Sequence, residues 1–136
     1  MKETDGMNGT DYSVLIVDDS PILRAAIRKV AVMAGVDPER IREAGHGGEA
    51  LERLEEAPVD LVLLDINMPV MNGEEFVEQV RQRPGLEDVL IVVVSTEANR
   101  ERLERMEAMG VSESLHKPFE PEALAEIISR RLGVES

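Results

Sequence analysis

The sequence contains several short apolar runs that each end abruptly at a polar residue, and these runs constrain the fold more than any other feature. Residues 13–17, 59–64 and 89–94 are rich in β-branched and aliphatic side chains without strict polar alternation. Such runs are typical of strands that are buried on both faces of a parallel sheet. Weaker runs at residues 41–44 and 113–116 predict two further strands.

Segments with the spacing of amphipathic helices lie between the predicted strands. The first follows Ser20-Pro21, an N-cap with a proline at the first helical position, and places Leu23 and Ile27 on its apolar face. The other predicted helices are residues 49–57, 73–83, 100–109 and a last stretch that ends at Gly133. Because strands and helices alternate, the sequence predicts an α/β fold with a doubly wound parallel sheet and helices on both faces.

The length and composition indicate one compact domain, since the chain has 136 residues, 43% hydrophobic and 32% charged. We expect this domain to span residues 13–133, with a disordered polar extension over residues 1–12 and no effector domain. Fifteen basic and 28 acidic residues give a net charge of −13, which argues against binding to nucleic acids or anionic membranes. Cysteine and bilayer-length apolar runs are absent, so a cytoplasmic location is expected.

Polar residues at the ends of the predicted strands are the candidates for a functional site. Asp18 and Asp19 follow the first strand, Asp65 the third, Ser95 the fourth and Lys117 the fifth. Because the carboxyl ends of parallel strands share one edge of the sheet, these side chains should converge there. Two carboxylates ~5 Å apart repel by roughly 3 kcal/mol at an effective dielectric constant of ~20, so a cation is needed nearby. Oxygen ligands without His or Cys favour Mg²⁺.

This combination of groups suits phosphoryl transfer. Mg²⁺, the Lys117 ammonium and the Ser95 hydroxyl can stabilise the oxygens of a transferring phosphoryl group, and Asp65 would be the nucleophile. Each group alone has a simpler interpretation. Asp18 and Asp19 favour the start of a helix, Asp65 suits a turn, Ser95 an N-cap, and Lys117 an exposed loop. Only their combination indicates this chemistry.

Four motifs occur in order along the chain: D-D-S at residues 18–20, D-I-N-M-P-V-M-N-G at 65–73, S-T-E at 95–97 and K-P-F at 117–119. In these motifs the sequence resembles the receiver domain of two-component response regulators, in particular the stand-alone, chemotaxis-type regulators. The resemblance covers essentially the whole predicted domain. It implies a flavodoxin-like five-stranded parallel sheet with the strand order 2-1-3-4-5.

The resemblance implies a phosphoacceptor. Asp65 would receive a phosphoryl group from the phosphohistidine of a sensor histidine kinase or a phosphotransfer protein. Asp19 and Asp65 would bind Mg²⁺ together with the main-chain carbonyl of Asn67, and Asp18 would hold it mainly through water. Rather than an enzyme with a separate substrate, the protein would be a phosphoacceptor that takes part in its own phosphorylation and autodephosphorylation.

The resemblance also implies how phosphorylation is sensed and reversed. Ser95 would be the switch hydroxyl that moves to the new phosphoryl oxygens, and Lys117 would pair with them. Asn67 and Glu97 would flank the path of the attacking water and tune dephosphorylation, and their polarity implies a fairly short-lived phosphoryl group. A downstream protein would bind the face formed by the fourth helix, the fifth strand and the fifth helix.

The sequence departs from the family pattern at Ser114, where receivers commonly carry an aromatic residue that turns inward on activation. Either Leu115 or a neighbouring helix carries the readout instead, or the coupling between site and partner surface is weaker. His46 stands where the family often has Asn or Asp, and we expect only altered loop capping. Met68 and Met71 are expected to fill gaps in the packing.

The fourth predicted helix carries Arg100, Arg102 and Arg105 interleaved with Glu101 and Glu104. This pattern predicts a solvated helix face, supported by an ion pair between Glu101 and Arg105.

Two other classes of protein are alternatives. A Mg²⁺-dependent phosphohydrolase with an aspartyl-phosphate intermediate needs an acidic residue two positions after its nucleophile, where this chain has Asn67. Such enzymes also need a cap domain, for which 136 residues leave little room. A flavodoxin-like FMN carrier needs hydroxyls and backbone donors after the first strand, and Asp18 and Asp19 would repel the phosphate there.

Overall fold

The computed structural model describes residues 12–68 and 71–133. The strands are Val14–Val17 (β1), Ile41–Ala44 (β2), Leu61–Leu64 (β3), Leu90–Ser95 (β4) and Glu113–His116 (β5). The helices are Pro21–Met33 (α1), Gly47–Glu56 (α2), Gly73–Gln82 (α3), Arg100–Ala108 (α4) and Pro121–Leu132 (α5), with a short 3-10 helix, Pro38–Arg40, before β2. The predicted alternation of strands and helices is therefore confirmed.

The predicted extension lies largely outside the described residues, which begin at Tyr12. Tyr12 itself is half-buried and packs against the core beside α1 and α5. Within the described part of the chain, the longest apolar helical stretch is too short and too polar to cross a membrane.

All five strands are parallel and follow the order β2-β1-β3-β4-β5. This order confirms the doubly wound, flavodoxin-like sheet. The strand order reverses between β1 and β3, and ligands of such sheets bind at the carboxyl ends of the strands beside that point. The register pairs Val17 with Leu64, so Asp18 and Asp65 leave the sheet side by side. It also pairs Ser95 with His116, which brings Lys117 to the same edge.

The core consists of two layers, one on each face of the sheet. Alternate strand residues point to opposite faces, so Leu15 packs with α2, α3 and α4, whereas Ile16 packs with α1 and α5. Every residue of β1 and β3 is buried, which explains their continuous apolar runs. Phe76 is among the largest fully buried side chains, and the rest of the core is almost entirely aliphatic with a few methionines.

One predicted core contact is wrong. Leu23 was expected on the buried face of α1, but its side chain is 37% exposed and the neighbouring Ile22 is 81% exposed. The buried residues of α1 begin at Ile27. α1 starts immediately beyond the carboxyl end of β1, so its first turn lies past the end of the sheet and its apolar side chains do not reach the core.

A single arginine joins two loops at the opposite edge of the sheet. The Arg81 guanidinium donates to the main-chain carbonyls of Glu87 and Val89 at 3.0 and 2.9 Å. It also donates to the carbonyls of Met109 and Gly110 at 3.3 and 2.9 Å. Burial lowers the pKa of Arg81, as expected for a charged group taken out of water. These contacts fix the loop after α4 against the loop after α3.

Candidate functional site

Three carboxylates converge at the carboxyl edge of the sheet. Asp18 follows β1 and is 1% exposed, Asp65 follows β3 and is 8% exposed, and Asp19 is exposed to solvent. Each can contribute one oxygen to a group whose members lie within 4.8 Å of one another. The structure therefore brings together the three acidic residues that the sequence placed at this edge.

Lys117 lies between two of these carboxylates. Its Nζ atom donates to Asp18 Oδ2 at 2.6 Å and lies 3.6 Å from Asp65 Oδ2. The main-chain N–H of Lys117 donates to the Ser95 carbonyl at 2.8 Å, which fixes the lysine at the end of β5. One ammonium offsets one of three negative charges, so the cluster retains an excess of negative charge.

The donor set fits Mg²⁺. All three candidate ligands are hard carboxylate oxygens, and the remaining negative charge matches a divalent cation. Both oxygens of Asp18 already have protein donors, Ser20 N–H at 2.9 Å and Lys117 Nζ. Asp65 Oδ1 accepts from the Asn67 N–H at 3.0 Å, which leaves Oδ2 facing the lysine. Asp18 and Asp65 therefore both have protein partners at this edge, whereas Asp19 is exposed to solvent.

A second arginine supports the loop that carries the two aspartates after β1. Arg24, in the first half of α1, donates through Nη1 to the Asp18 carbonyl at 2.5 Å and through Nε to Glu43 at 3.0 Å. The Ser20 side chain caps α1 by accepting from the Leu23 N–H, as predicted. The hydrogen bond from Arg24 and the Ser20 cap of α1 therefore fix the backbone at Asp18.

The candidate switch hydroxyl is buried and already hydrogen-bonded. Ser95 is 2% exposed, and its Oγ accepts from Asn67 Nδ2 at 3.2 Å and from the Glu97 N–H at 3.1 Å. Its own hydroxyl proton remains available to a new acceptor. Ser95 is the last residue of β4, and Asn99 caps α4, so the interpretation of Ser95 as the cap of the fourth helix is wrong.

Arg102 forms a network beside these groups that the sequence did not predict. Its Nη1 donates to Asn67 Oδ1 at 2.8 Å and to Glu97 Oε1 at 2.7 Å. Nη2 donates to the Ile66 carbonyl at 2.9 Å. Nε donates to Glu74 Oε2 at 2.7 Å, and Nη2 also donates to Glu74 Oε1 at 2.8 Å. These hydrogen bonds raise the pKa of Arg102 and lower that of Glu74.

The prediction of a solvated helix face is therefore wrong for Arg102, while Arg100, Glu101, Glu104 and Arg105 are exposed as predicted. Among the described residues, the expected pair between Glu101 and Arg105 does not form, and Arg105 lies 3.6 Å from Glu74 instead. One signal was present in the sequence. Arg102 is four residues before the buried Met106 and so belongs to the inward face of the helix, unlike Arg105.

The position of Ser114 leaves a space beside the switch hydroxyl. Ser114 is exposed on β5, and a cavity of about 150 Å³ lies between it, Ser95 and Leu103 of α4. The absence of a large side chain at Ser114 accounts for this opening, because side chains at this position of β5 point toward α4.

The remaining predictions concern residues away from the carboxylates. His46 Nδ1 caps α2 by accepting from the Glu49 N–H at 3.2 Å, as expected. Met68 is buried, and Met71 packs closely over Gly47. The Lys117-Pro118 peptide bond is cis.

The fold and the site together define a class of protein. A parallel sheet in the order 2-1-3-4-5 with acidic residues and a lysine at its carboxyl edge is the arrangement of signalling receiver domains. The family model described as response regulator receiver domain matches residues 14–129. The chain belongs to the response regulator receiver domain family and has a phosphoacceptor role in two-component signalling.

Individual relatives agree with this assignment. A chemotaxis protein CheY homolog of Campylobacter jejuni is 36% identical over 124 residues, which cover 90% of this chain and 94% of that protein. The structure of the chemotaxis response regulator CheY4 of Vibrio cholerae matches with a TM-score of 0.80 and 35% identity, covering 88% of this chain and 98% of that chain. A segment of the sensor histidine kinase CheAY of Helicobacter pylori is 35% identical, covering 93% of this chain but 16% of that protein. These matches do not favour the phosphohydrolase alternative.

Proposed function

We propose that Asp65 is the residue that accepts the phosphoryl group. The observation that carries this proposal is the position of its carboxylate, which faces Lys117 at 3.6 Å within the acidic cluster and at the strand reversal. The Lys117 ammonium attracts the incoming anion, and Asp18 holds that ammonium in place. Asp65 is buried apart from its opening to the edge, so its position is fixed before the reaction.

The proposed transfer is a displacement at phosphorus. An Asp65 carboxylate oxygen forms the new bond to phosphorus, the bond between phosphorus and the donor histidine nitrogen breaks, and the neutral imidazole leaves after taking up a proton. The Ser95 hydroxyl donates a hydrogen bond to a phosphoryl oxygen, and the Lys117 ammonium pairs with another. The product is an aspartyl phosphate that carries more negative charge than the free carboxylate.

Asp19 and Asp65, with the main-chain carbonyl of Asn67, would hold Mg²⁺, and Asp18 would act mainly through water. When bound, Mg²⁺ neutralises negative charge on the carboxylates and on the phosphoryl oxygens. Ser20 and Lys117 already occupy the Asp18 oxygens, which supports the indirect role of this residue.

The proposed partners follow from this chemistry. The phosphoryl donor is a sensor histidine kinase or phosphotransfer protein, in line with the likeness to a segment of a histidine kinase. A downstream protein binds the face formed by α4, β5 and α5 and responds to the movement of Ser95. The proposed location is the cytoplasm. The chain contains no cysteine and so does not depend on disulfides, which agrees with a reducing compartment.

Autodephosphorylation completes the proposed cycle. Asn67 and Glu97 flank the path of water to the phosphoryl group, and both are hydrogen-bonded to the site through Ser95 Oγ. The protein thus accelerates the loss of its own phosphoryl group without acting on a separate substrate.

The test uses acetyl phosphate with Mg²⁺ and intact-protein mass spectrometry. Wild-type protein is expected to gain one phosphoryl group, and Asp65→Asn is expected to gain none because an amide is not a nucleophile here. Asp88→Asn, which changes an exposed aspartate in the loop before β4, is the matched control and should be labelled like the wild type. Labelling of Asp65→Asn to the wild-type level would refute the assignment.

A further inference from the structure

We propose that Arg102 is a positioning residue that slows hydrolysis of the phosphoryl group by holding Glu97 and Asn67 in fixed orientations. The inference rests on the proposed function of Asp65. It concerns an arginine that does not reach the three carboxylates of the cluster and that acts through its two neighbours.

The geometry makes Arg102 a clamp between two loops. One nitrogen, Nη1, donates both to Asn67 Oδ1 in the loop after β3 and to Glu97 Oε1 in the loop after β4. Two further hydrogen bonds, from Nε and Nη2 to the Glu74 carboxylate of α3, fix the orientation of the guanidinium. Only 18% of the Arg102 side chain is exposed, whereas Asn67, one of its two partners, lies at the surface.

The clamp fixes the direction of the Asn67 amide. Because its Oδ1 accepts from Arg102, its Nδ2 points to Ser95 Oγ at 3.2 Å. Without the arginine, the amide can turn, and this contact with the buried hydroxyl is no longer enforced.

The clamp also makes the Glu97 carboxylate a poor proton acceptor. Oε1 accepts from Arg102 at 2.7 Å, and Oε2 accepts from the Asn99 N–H at 2.9 Å. The Asn99 N–H and the Arg102 guanidinium lower the pKa of Glu97. A carboxylate with both oxygens engaged is weakly basic, and these two contacts hold it against the start of α4.

Hydrolysis needs a proton acceptor. The water oxygen forms a bond to phosphorus, the bond between phosphorus and the Asp65 oxygen breaks, and the water gives up a proton while the carboxylate and phosphate are released. A Glu97 carboxylate released from Arg102 can accept a hydrogen bond from that water and favour its attack. Loss of the clamp should therefore shorten the lifetime of the aspartyl phosphate.

The experiment follows the decay of protein labelled with acetyl phosphate after the donor is removed. Arg102→Gln is expected to raise the decay rate constant about threefold or more, because it frees a general base. Arg102→Lys should raise it as well, since one ammonium cannot replace the fork that binds Asn67, Glu97 and Glu74 together. Arg100→Gln, which removes a charge from an exposed position at the start of the same helix, should decay like the wild type.

A second arm separates positioning from effects on charge or stability. In a background that carries both Asn67→Ala and Glu97→Ala, Arg102→Gln should leave the decay rate unchanged, because nothing remains for it to hold. Melting temperatures of all variants establish that each is folded at the assay temperature. Acceleration that persists in this background would overturn the proposal, as would a rate in Arg102→Gln equal to or below that of the wild type.

Failure of the proposed function gives a different result. If wild-type protein takes up no phosphoryl group on Asp65, the phosphoacceptor assignment fails. If wild-type protein is labelled there and Arg102→Gln decays at the wild-type rate, only the role of Arg102 fails.

Discussion

Lys117 Nζ lies 2.6 Å from Asp18 Oδ2, and both residues are almost completely buried at 8% and 1% exposure. The two residues are 99 positions apart in the chain and meet because β1 and β5 end at the same edge of the sheet. A buried ammonium between carboxylates is favourable only while its partners remain, so this contact couples the stability of the fold to the chemistry of the site.

Replacing the lysine should destabilise the protein strongly. Lys117→Met leaves the buried Asp18 carboxylate without its cation and increases repulsion within the cluster, which should lower the free energy of unfolding by about 3–5 kcal/mol. Urea denaturation in metal-free buffer measures the change. Lys29→Met, at an exposed position of α1, is the control and should change stability by less than about 0.5 kcal/mol. Similar values for the two variants would contradict the importance of the buried pair.

Mg²⁺ should stabilise the wild-type fold because it relieves repulsion among the three carboxylates. The expected gain is about 2.7 kcal/mol at a hundredfold excess over the dissociation constant. Asp19→Asn should lose most of this gain. Without metal, it should be more stable than the wild type by about 1 kcal/mol, because one of the repelling charges is removed. The increase is small because Asp19 is exposed and water screens its charge. Thermal melts with and without MgCl₂ measure both effects. Equal Mg²⁺ responses of the two proteins would exclude Asp19 as a ligand.

The pair between Glu74 and Arg102 should appear in the pH dependence of stability. The hydrogen bond from Arg102 lowers the pKa of Glu74 below 4.5. A carboxylate with a lowered pKa contributes stability that is complete above its unfolded value and is lost as the pH falls through its folded value. The stability difference between wild type and Glu74→Gln should therefore be constant above pH 5 and shrink below about 4.5. Glu78→Gln, on the exposed side of α3, should show no such change, and a constant difference for Glu74→Gln would contradict the pair.

The main part of the site could be predicted from the sequence because its signals are local. Strands buried on both faces give continuous apolar runs, and the residue after each run must lie at the shared carboxyl edge of a parallel sheet. The same rule predicts that Asp18, Asp19, Asp65 and Lys117 meet at this edge, as they do in the structure. The strand order came from the resemblance, since alternation alone does not fix it.

The arginine contacts could not be predicted in the same way. Arg102 reaches Glu74 and Asn67, which lie 28 and 35 residues away, and its partners depend on how α4 packs against the sheet. A long flexible side chain on a charged helix gives the same sequence pattern whether it faces solvent or a loop. The buried Met106 one turn later was the single local indication. Leu23 was misplaced for a related reason, because periodicity identifies a helix face but not where the sheet ends.

Filling the cavity beside Ser114 should stabilise the protein. An aromatic ring at this position would enter the space of about 150 Å³ between Ser95 and Leu103. Burial of about 40 Å² of apolar surface corresponds to roughly 1 kcal/mol, so Ser114→Phe should raise the free energy of unfolding by that amount. Chemical denaturation provides the measurement, with Ser114→Ala as a control that should change little. A decrease for Ser114→Phe would mean that the cavity cannot accept a ring.

Removing the Arg81 guanidinium should loosen two loops at once without affecting the site. Its hydrogen bonds to the carbonyls of Val89 and Gly110 join the loops after α3 and α4, and Arg81→Gln removes these contacts and leaves the part-buried Val89 carbonyl without this donor. We expect a loss of about 2–4 kcal/mol in the free energy of unfolding. Amide hydrogen exchange should increase around both loops, while labelling by acetyl phosphate persists at temperatures where the variant is folded. Arg100→Gln, exposed at the start of α4, is the matched control. If its stability falls as much as that of Arg81→Gln, general charge loss rather than the bridging contacts would be responsible.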